Sequence, residues 1–250
     1  MTGVQTCALP ISRLLELDIA NAGYSSLPVD DFFRPLGSVT ARVKGQYSIQ
    51  CYRRSFEEAF LDHCARKGVS AREELEGVDH FVLHVPFRHM PAIALVKLLQ
   101  NQLGMDRVRA KEYLARRRLG AAVDPVSMVG NTYSASMYVS LAFLLESEHR
   151  RIGRGIVGKR VLLGSYGSGN TMVVLEATVA ERAPEVIGGW DIASLLSGTE
   201  EASFEDYREW MERPGHGQGL GASSSALVPP GSFWLKGIRE DGYREYAFTG

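Results

Sequence analysis

The chain has 250 residues, 45% of them hydrophobic and 23% charged, with 28 basic against 29 acidic residues and a formal net charge of −1. This composition is typical of a globular protein with an ample core, and the balanced charge does not favour a nucleic-acid or membrane partner. The three cysteines have no metal or disulfide spacing, and no apolar run approaches the roughly 20 residues of a membrane-spanning helix, so we expect a cytoplasmic protein.

The first segment does not look like a secondary-structure element. Residues 1–12, MTGVQTCALPIS, have no periodicity and lack the basic start and long apolar stretch of a signal peptide. We expect a non-native leader here, with a small native extension as the alternative, and we place one domain over residues 13–250. LLELD at 14–18 predicts a short strand.

A loop and a long helix follow. Two prolines favour an irregular loop over Asn21–Gly45. Ser48 is a candidate N-cap of a helix that runs to about Lys67 and ends at Gly68. Four residues spaced four apart predict its buried face, which makes the last of them a core residue: Tyr52, Phe56, Phe60 and Cys64.

The rest of the chain alternates strands with helices. HFVLHVPF at 80–87 predicts a strand, and helices are expected over 91–103, about 107–119 and about 131–151. RVLLG at 160–164 and TMVVLEATV at 171–179 flank a glycine turn, which predicts a hairpin. The expected downstream elements are helices at 191–196 and 203–212, a Gly/Ser/Pro loop at 214–231 and a hairpin around Asp241 and Gly242. This order predicts an α/β (mixed α+β) layered domain.

Three polar motifs lie beside turns or helix starts, where sites are often built. They are HVPFRHM at 84–90, GNTYSAS at 130–136 and GSYGSG at 164–169. A histidine at a strand end, His84, can donate to a carbonyl oxygen or move a proton near neutral pH, although a core histidine is the simpler alternative. Asn131 offers an amide or caps the next helix. The glycine turn could present N–H groups to an oxyanion, or could simply be a tight turn.

Together, the three motifs in this order resemble the second half of the 3-hydroxy-3-methylglutaryl-CoA synthase family of the thiolase superfamily. DDFFRP at 30–35 and YSIQCY at 47–52 extend the resemblance to about residues 14–250. The resemblance implies a thiolase-like layered fold, essentially the C-terminal half with a truncated N-terminal half. It also implies a Claisen-type condensation, in which an acetyl thioester is joined to an acetoacetyl thioester.

The resemblance assigns roles to particular residues. It makes His84 the catalytic group that polarises the acetoacetyl ketone and Asn131 a ligand of the acyl carbonyl. On residues alone, Asp31 is as well explained by a turn. The remaining residues that match substrate-binding positions are Ser48, Asp31, Ser165 and Gly167. The implied substrates are coenzyme A or phosphopantetheine thioesters, the partner is acyl-CoA or an acyl carrier protein, and the full-length protein is a homodimer without a metal or other cofactor.

Departures from the family pattern refine this expectation. The family's cysteine nucleophile and catalytic glutamate have no counterparts here, and neither Cys51 nor Cys64 has a nucleophile context, so we expect an inactive fragment. The family usually has lysines five and nine residues after the histidine that matches His84. In this chain those two positions are His89 and Ile93. That change favours a carrier-protein substrate and polyketide β-branching, with the mevalonate pathway left open.

Other classes of function remain as alternatives. His80 and His84 share one strand face as zinc ligands do, but no third ligand is spaced nearby. The chain could instead be a non-catalytic module that binds acyl groups or carrier proteins. It could also belong to another thiolase-superfamily branch such as the ketoacyl synthases, although the Asn131 and SYGSG context favours the first assignment.

Overall fold

The computed structural model of the protein describes residues 14–33, 40–198, 201–212, 230–238 and 244–249. The chain divides into two compact units, Met1–Ile192 and Ala193–Gly250. The predicted leader and most of the predicted Gly/Ser/Pro loop lie outside the described residues. A single domain over residues 13–250 therefore stays a prediction.

The first unit contains a mixed sheet. The strands of this unit are β1 (Leu15–Leu17), β2 (Gly23–Ser26), β3 (Phe32–Phe33), β4 (Arg42–Val43), β5 (His80–Leu83), β6 (Arg160–Gly167) and β7 (Thr171–Val179). The strands of the sheet pair in the order β1-β7-β6-β5, and β2 also pairs with β7. A separate two-stranded ladder joins β3 and β4.

Two pairings in this sheet position the motifs. β5 runs parallel to β6, with Leu83 opposite Gly164, so the end of β5 lies beside the start of the glycine-rich segment. β6 and β7 are antiparallel, with Gly167 opposite Thr171, which confirms the predicted hairpin. Val161, Leu162 and most other apolar residues of these strands are buried, as expected for a central hairpin.

The predicted irregular loop over Asn21–Gly45 is wrong in part, because β2 lies within it and joins the sheet. Gly23 explains why this segment fits there. A Cβ atom at Gly23 would lie 2.1 Å from the Ala59 carbonyl oxygen and 2.2 Å from the His63 backbone nitrogen, so only glycine allows the helix to approach β2 this closely. Tertiary packing therefore creates this strand despite weak local propensity.

Helices cover the sheet. The helices of the first unit are α1 (Gly45–Lys67), α2 (Ala71–Gly77), α3 (Met90–Leu103), α4 (Arg107–Arg116), α5 (Leu119–Val123), α6 (Val126–Val129), α7 (Ala135–Ile152) and α8 (Ala183–Gly188), with a 3-10 turn at Gly153–Ile156. The predicted stripe of α1 is confirmed: Tyr52, Phe56 and Phe60 are fully buried and Cys64 nearly so. Gly68 ends α1 in the left-handed conformation, as predicted.

Several predicted boundaries are wrong. α1 begins at Gly45, so Ser48 is inside its first turns and not at the N-cap, which is Lys44. α7 begins at Ala135, four residues after the predicted start, because Tyr133 adopts a positive φ of 53° that breaks the helical path. The predicted basic helix ends early at Arg116, and α5 and α6 replace the expected gap before α7.

The second unit holds short elements. α9 (Ile192–Ser197) begins at the boundary of the two units, and α10 (Phe204–Glu212) is capped by Ser203, whose Oγ accepts from the Asp206 N–H at 3.1 Å as predicted. β8 (Phe233–Ile238) and β9 (Arg244–Phe248) form an antiparallel pair, while the predicted turn residues Asp241 and Gly242 lie outside the described ranges. None of the helices in the described ranges is long and apolar enough to cross a bilayer.

Candidate active site

His84 lies directly after β5 and is held through its backbone. Its N–H donates to the Gly164 carbonyl at 2.7 Å, and its carbonyl accepts from the Tyr52 hydroxyl at 2.8 Å. The residue is only 9% exposed, and burial lowers the pKa of its imidazole. His84 is therefore a neutral imidazole at neutral pH, able to donate one proton and accept another.

Ser136 fixes the ring of His84 from the neighbouring helix. Its Oγ lies 2.9 Å from His84 Nδ1 and accepts from the Val85 N–H at 3.0 Å. Ser136 is fully buried in the first turn of α7. In the sequence this residue stood out only as the last position of the GNTYSAS motif, with no role of its own.

Tyr166 completes the wall around the imidazole. Its ring stacks on His84 with centroids 6.3 Å apart and an interplanar angle of 30°, and it packs on Tyr52 at 4.9 Å. Its hydroxyl donates to Asp31 Oδ2 at 2.6 Å, and burial together with this bond raises the pKa of Tyr166 above its usual range. The residues predicted from the sequence, Ser165 and Gly167, lie on either side of this tyrosine, which was missed.

Asp31 lies next to the glycine turn. It is fully buried, and its Oδ1 accepts from the Gly169 N–H at 3.1 Å. The predicted oxyanion role of the turn is therefore restricted, because one of its N–H groups already binds a carboxyl group. Asn170, the next residue, donates to Ser55 at 2.8 Å and to the Tyr166 hydroxyl at 3.3 Å, which ties the turn to α1.

The other predicted site residues are less tightly integrated. Asn131 is exposed, and its Oδ1 accepts from the Tyr133 N–H at 2.9 Å, so it forms a local turn and does not cap α7. Ser165 and Ser48 are half-buried, and Gly167 is exposed at the end of β6. Within the described part of the chain, no hydrogen bond joins any of these four residues to His84.

The histidine and cysteine side chains of the described residues do not form a metal site or an accessible thiol. The described residues contain no group of three histidine, cysteine, aspartate or glutamate side chains that could hold a metal ion. His80 Nδ1 lies 3.2 Å from the Arg117 carbonyl, which engages the second histidine of the zinc alternative. Cys51 and Cys64 are buried and unpaired, and burial raises the pKa of Cys64 to about 12, so that thiol is not a nucleophile at neutral pH.

An open groove of about 800 Å³ lies along α3, α4 and α5. Both residues that replace the family's lysines, His89 and Ile93, line it, together with Asp124, whose carboxylate pairs with Arg88 at 2.9 Å. Cationic side chains line it from four segments of the chain: Arg53, Arg88, Lys97, Arg107 and Lys111. The groove therefore combines apolar walls with a positive potential suited to a phosphate-bearing or acidic ligand.

Comparison with known proteins places this geometry in a family. The family described as hydroxymethylglutaryl-coenzyme A synthase C terminal matches residues 106–249. The chain belongs to this family. The predicted family is thereby confirmed, and the match begins at the start of α4 and continues through β9.

Individual relatives of the hydroxymethylglutaryl-CoA synthase family agree with this. The synthase of Haloferax volcanii is 26% identical over 232 residues, which cover 78% of this chain and 51% of the relative. The structure of MvaS in complex with 3-hydroxy-3-methylglutaryl coenzyme A is similar with a TM-score of 0.79 and 29% identity, covering 95% of this chain and 59% of that one. The chain thus spans about half the length of the first curated relatives that it matches.

A second solved structure shares the fold. The curacin biosynthetic pathway HMG synthase in complex with holo donor-ACP has a TM-score of 0.76 and 21% identity, covering 94% of this chain and 58% of that one. These likenesses confirm the predicted mixed α/β, thiolase-like layered fold and its restriction to part of the family's length.

Proposed function

We propose that this chain supplies the part of a hydroxymethylglutaryl-CoA synthase-type acyltransferase that binds the acetoacetyl thioester and polarises its ketone. The observation that carries the proposal is the neutral imidazole of His84, held by Ser136 and Tyr166. Among the described residues, nothing hydrogen-bonds its Nε2, which leaves that atom available to a ligand. A neutral N–H donor stabilises the negative charge that grows on a ketone oxygen under attack.

In the proposed reaction, the acetyl thioester loses a methyl proton and its carbon attacks the acetoacetyl ketone. The new C–C bond pushes an electron pair onto the ketone oxygen, whose negative charge the N–H of His84 stabilises by a hydrogen bond. The carboxylate base takes the methyl proton, the ketone oxygen takes up one proton in return, and hydrolysis of the enzyme thioester then releases the 3-hydroxy-3-methylglutaryl product. Cys51 and Cys64 do not supply the thiolate nucleophile of this reaction, because both are buried. We therefore propose that the 250-residue chain alone binds thioesters without condensing them.

The groove along α3–α5 supports a carrier protein as the source of the thioester. His89 and Ile93 provide no lysine ammonium groups, while Arg53, Arg107 and Lys111 supply positive charge from α1 and α4. Cations spread across two helices complement an acidic protein surface better than a compact nucleotide diphosphate. A cytoplasmic homodimer of the full-length protein that works on carrier-bound acyl groups completes this proposal.

Calorimetry with two ligands tests this function. We expect acetoacetyl groups on an acyl carrier protein to bind more tightly than acetoacetyl-CoA, and His84→Ala to weaken both by removing the N–H donor at the ketone. The matched control is His149→Ala, which changes a histidine near the end of α7 that lines neither the groove nor the His84 site. Absence of binding by either thioester would remove the proposed function, whereas a clear preference for acetoacetyl-CoA would remove only its carrier-protein part.

A second candidate is a non-catalytic acyl or carrier-protein binding module. The burial of both described cysteines favours it, because a thioester-forming enzyme needs an accessible thiolate. Incubation with labelled acetyl-CoA followed by mass spectrometry separates the two in any longer version of the protein. Stoichiometric acetylation of Cys51 or Cys64 in this chain would contradict both the proposed division of labour and the binding module.

A further inference from the structure

The hydrogen bonds around Ser136 determine more than the position of His84. The Ser136 hydroxyl accepts from the Val85 N–H at 3.0 Å and lies 2.9 Å from His84 Nδ1. A hydroxyl carries one proton, and in the described structure the nitrogen of His84 is the acceptor that it meets. If Nδ1 carried its own proton, the hydroxyl proton of this fully buried serine would have no acceptor.

We infer that Ser136 is a positioning residue that selects the tautomer of His84, donating to Nδ1 so that the ring proton is on Nε2. The Ser136 hydroxyl then accepts one hydrogen bond and donates one, and the peptide N–H that follows His84 is satisfied by the same oxygen. Selection of a tautomer through the second ring nitrogen is an established way to set imidazole chemistry.

The surroundings leave Nε2 as the working atom. Tyr166 stacks on the ring face, but its hydroxyl donates to Asp31 and so does not compete for the imidazole. Tyr52 donates to the His84 carbonyl and not to the ring. The tautomer that Ser136 selects therefore places an N–H donor at Nε2, an atom that hydrogen-bonds to none of the described residues, and the proposed function needs the acetoacetyl ketone oxygen at this atom. The position of the ketone rests on the proposed function, whereas the tautomer does not.

Long-range proton–nitrogen NMR of the full chain with ¹⁵N-labelled histidine tests the inference. His84→Gln assigns the signal. We expect one neutral tautomer with the proton on Nε2, and in Ser136→Ala we expect loss of the single tautomer and a mixture of the two. The matched control is Ser140→Ala, because Ser140 is equally buried one turn later on α7 but donates to the Ala122 carbonyl at 2.8 Å.

The possible outcomes separate this inference from the proposed function. A wild-type spectrum with the proton on Nδ1, or a Ser136→Ala spectrum equal to that of wild type, would overturn the role of Ser136 whatever the chain binds. Should Ser136→Ala not fold, Ser136→Thr keeps the hydroxyl and is expected to keep the wild-type tautomer, and the wild-type spectrum still decides. A correct tautomer in a chain that binds neither acetoacetyl thioester would sustain this inference and remove the function.

Discussion

Two buried histidines of this molecule have opposite surroundings. The imidazole of His84 meets a serine hydroxyl at Nδ1, its Nε2 has no hydrogen-bond partner among the described residues, and burial lowers its pKa. His63 is fully buried on α1, with Nδ1 at 2.6 Å from the Asn21 carbonyl and Nε2 at 3.2 Å from Glu74 Oε1. Burial alone would lower the pKa of His63, but these two acceptors raise it.

This difference shows that the hydrogen-bond acceptors around a buried histidine determine its protonation state. Both ring nitrogens of His63 face acceptors, and only an imidazolium can donate to both. Glu74 in turn accepts from Lys67 at 2.9 Å and from Arg160 at 3.1 Å, and Glu176 joins the same two cations. We call His63, Lys67, Glu74, Arg160 and Glu176 the charge cluster. The charge cluster connects α1, α2, β6 and β7, whereas Nε2 of His84 has no hydrogen-bond partner in the described ranges of the chain.

The largest expected effect comes from breaking the charge cluster at Glu74. Glu74→Gln leaves His63, Lys67 and Arg160 with too little negative charge around a side chain that is 1% exposed. We expect the free energy of unfolding to fall by about 3–5 kcal/mol, measured by denaturant titration. Glu76→Gln on the same helix is the control, since its pair with Arg72 is exposed and is worth about 0–1 kcal/mol. Equal losses in the two variants would contradict a buried cluster.

A smaller effect is expected at the His84 site, where two tyrosine hydroxyls differ in their acceptors. Tyr166→Phe removes the bond to the buried Asp31 carboxylate and should lower the free energy of unfolding by about 1.5–3 kcal/mol. Tyr52→Phe removes a bond to the His84 carbonyl and should cost about 0.5–1.5 kcal/mol. Both variants keep the aromatic packing, so a larger loss in Tyr52→Phe would show that Asp31 does not depend on Tyr166.

Local patterns were enough for elements that short-range physics specifies. The four-residue stripe of α1 and the left-handed caps Gly68 and Gly104 follow from side-chain periodicity and from glycine's tolerance of positive φ. The start of α2 could also have been predicted, because Ser70 and Glu73 form a capping box, but this helix was not predicted. The sequence does not predict β2, because GYSS has no β-branched residue and its strand conformation depends on pairing with β7.

The site itself was only half accessible from the sequence. The end of β5 indicated His84, but Ser136, which contacts its ring, lies 52 residues further along the chain. Asp31 and Tyr166, which hydrogen-bond to each other beside it, are 135 residues apart in the sequence. The charge cluster has the same character, since Glu74 and Arg160 are 86 residues apart. Contacts at such separations leave no periodic trace, so motif order indicated which segments converge but not which atoms meet.

The smallest expected effect is the pH dependence that separates the two histidines. Because the pKa of His63 is raised above 6.5, the unfolded chain releases that proton first as pH rises, and the stability it contributes below pH 6.5 is lost as pH passes the folded pKa. Because the pKa of His84 is lowered below 6.5, its effect on stability has the opposite sign. Above pH 6.5 His84 does not change the free energy of unfolding, and below pH 6.5 that free energy falls as the pH drops toward the folded pKa.

NMR titration of the histidine rings checks both signs in one experiment. His63 should stay protonated above pH 6.5 while His84 is already neutral below it. Stability curves should then lose their alkaline decline in His63→Gln and their acid decline in His84→Gln. If both buried rings titrated over the same pH range, the charge assignment would fail at both sites, because neither the acceptors around His63 nor the burial of His84 would be setting the protonation state.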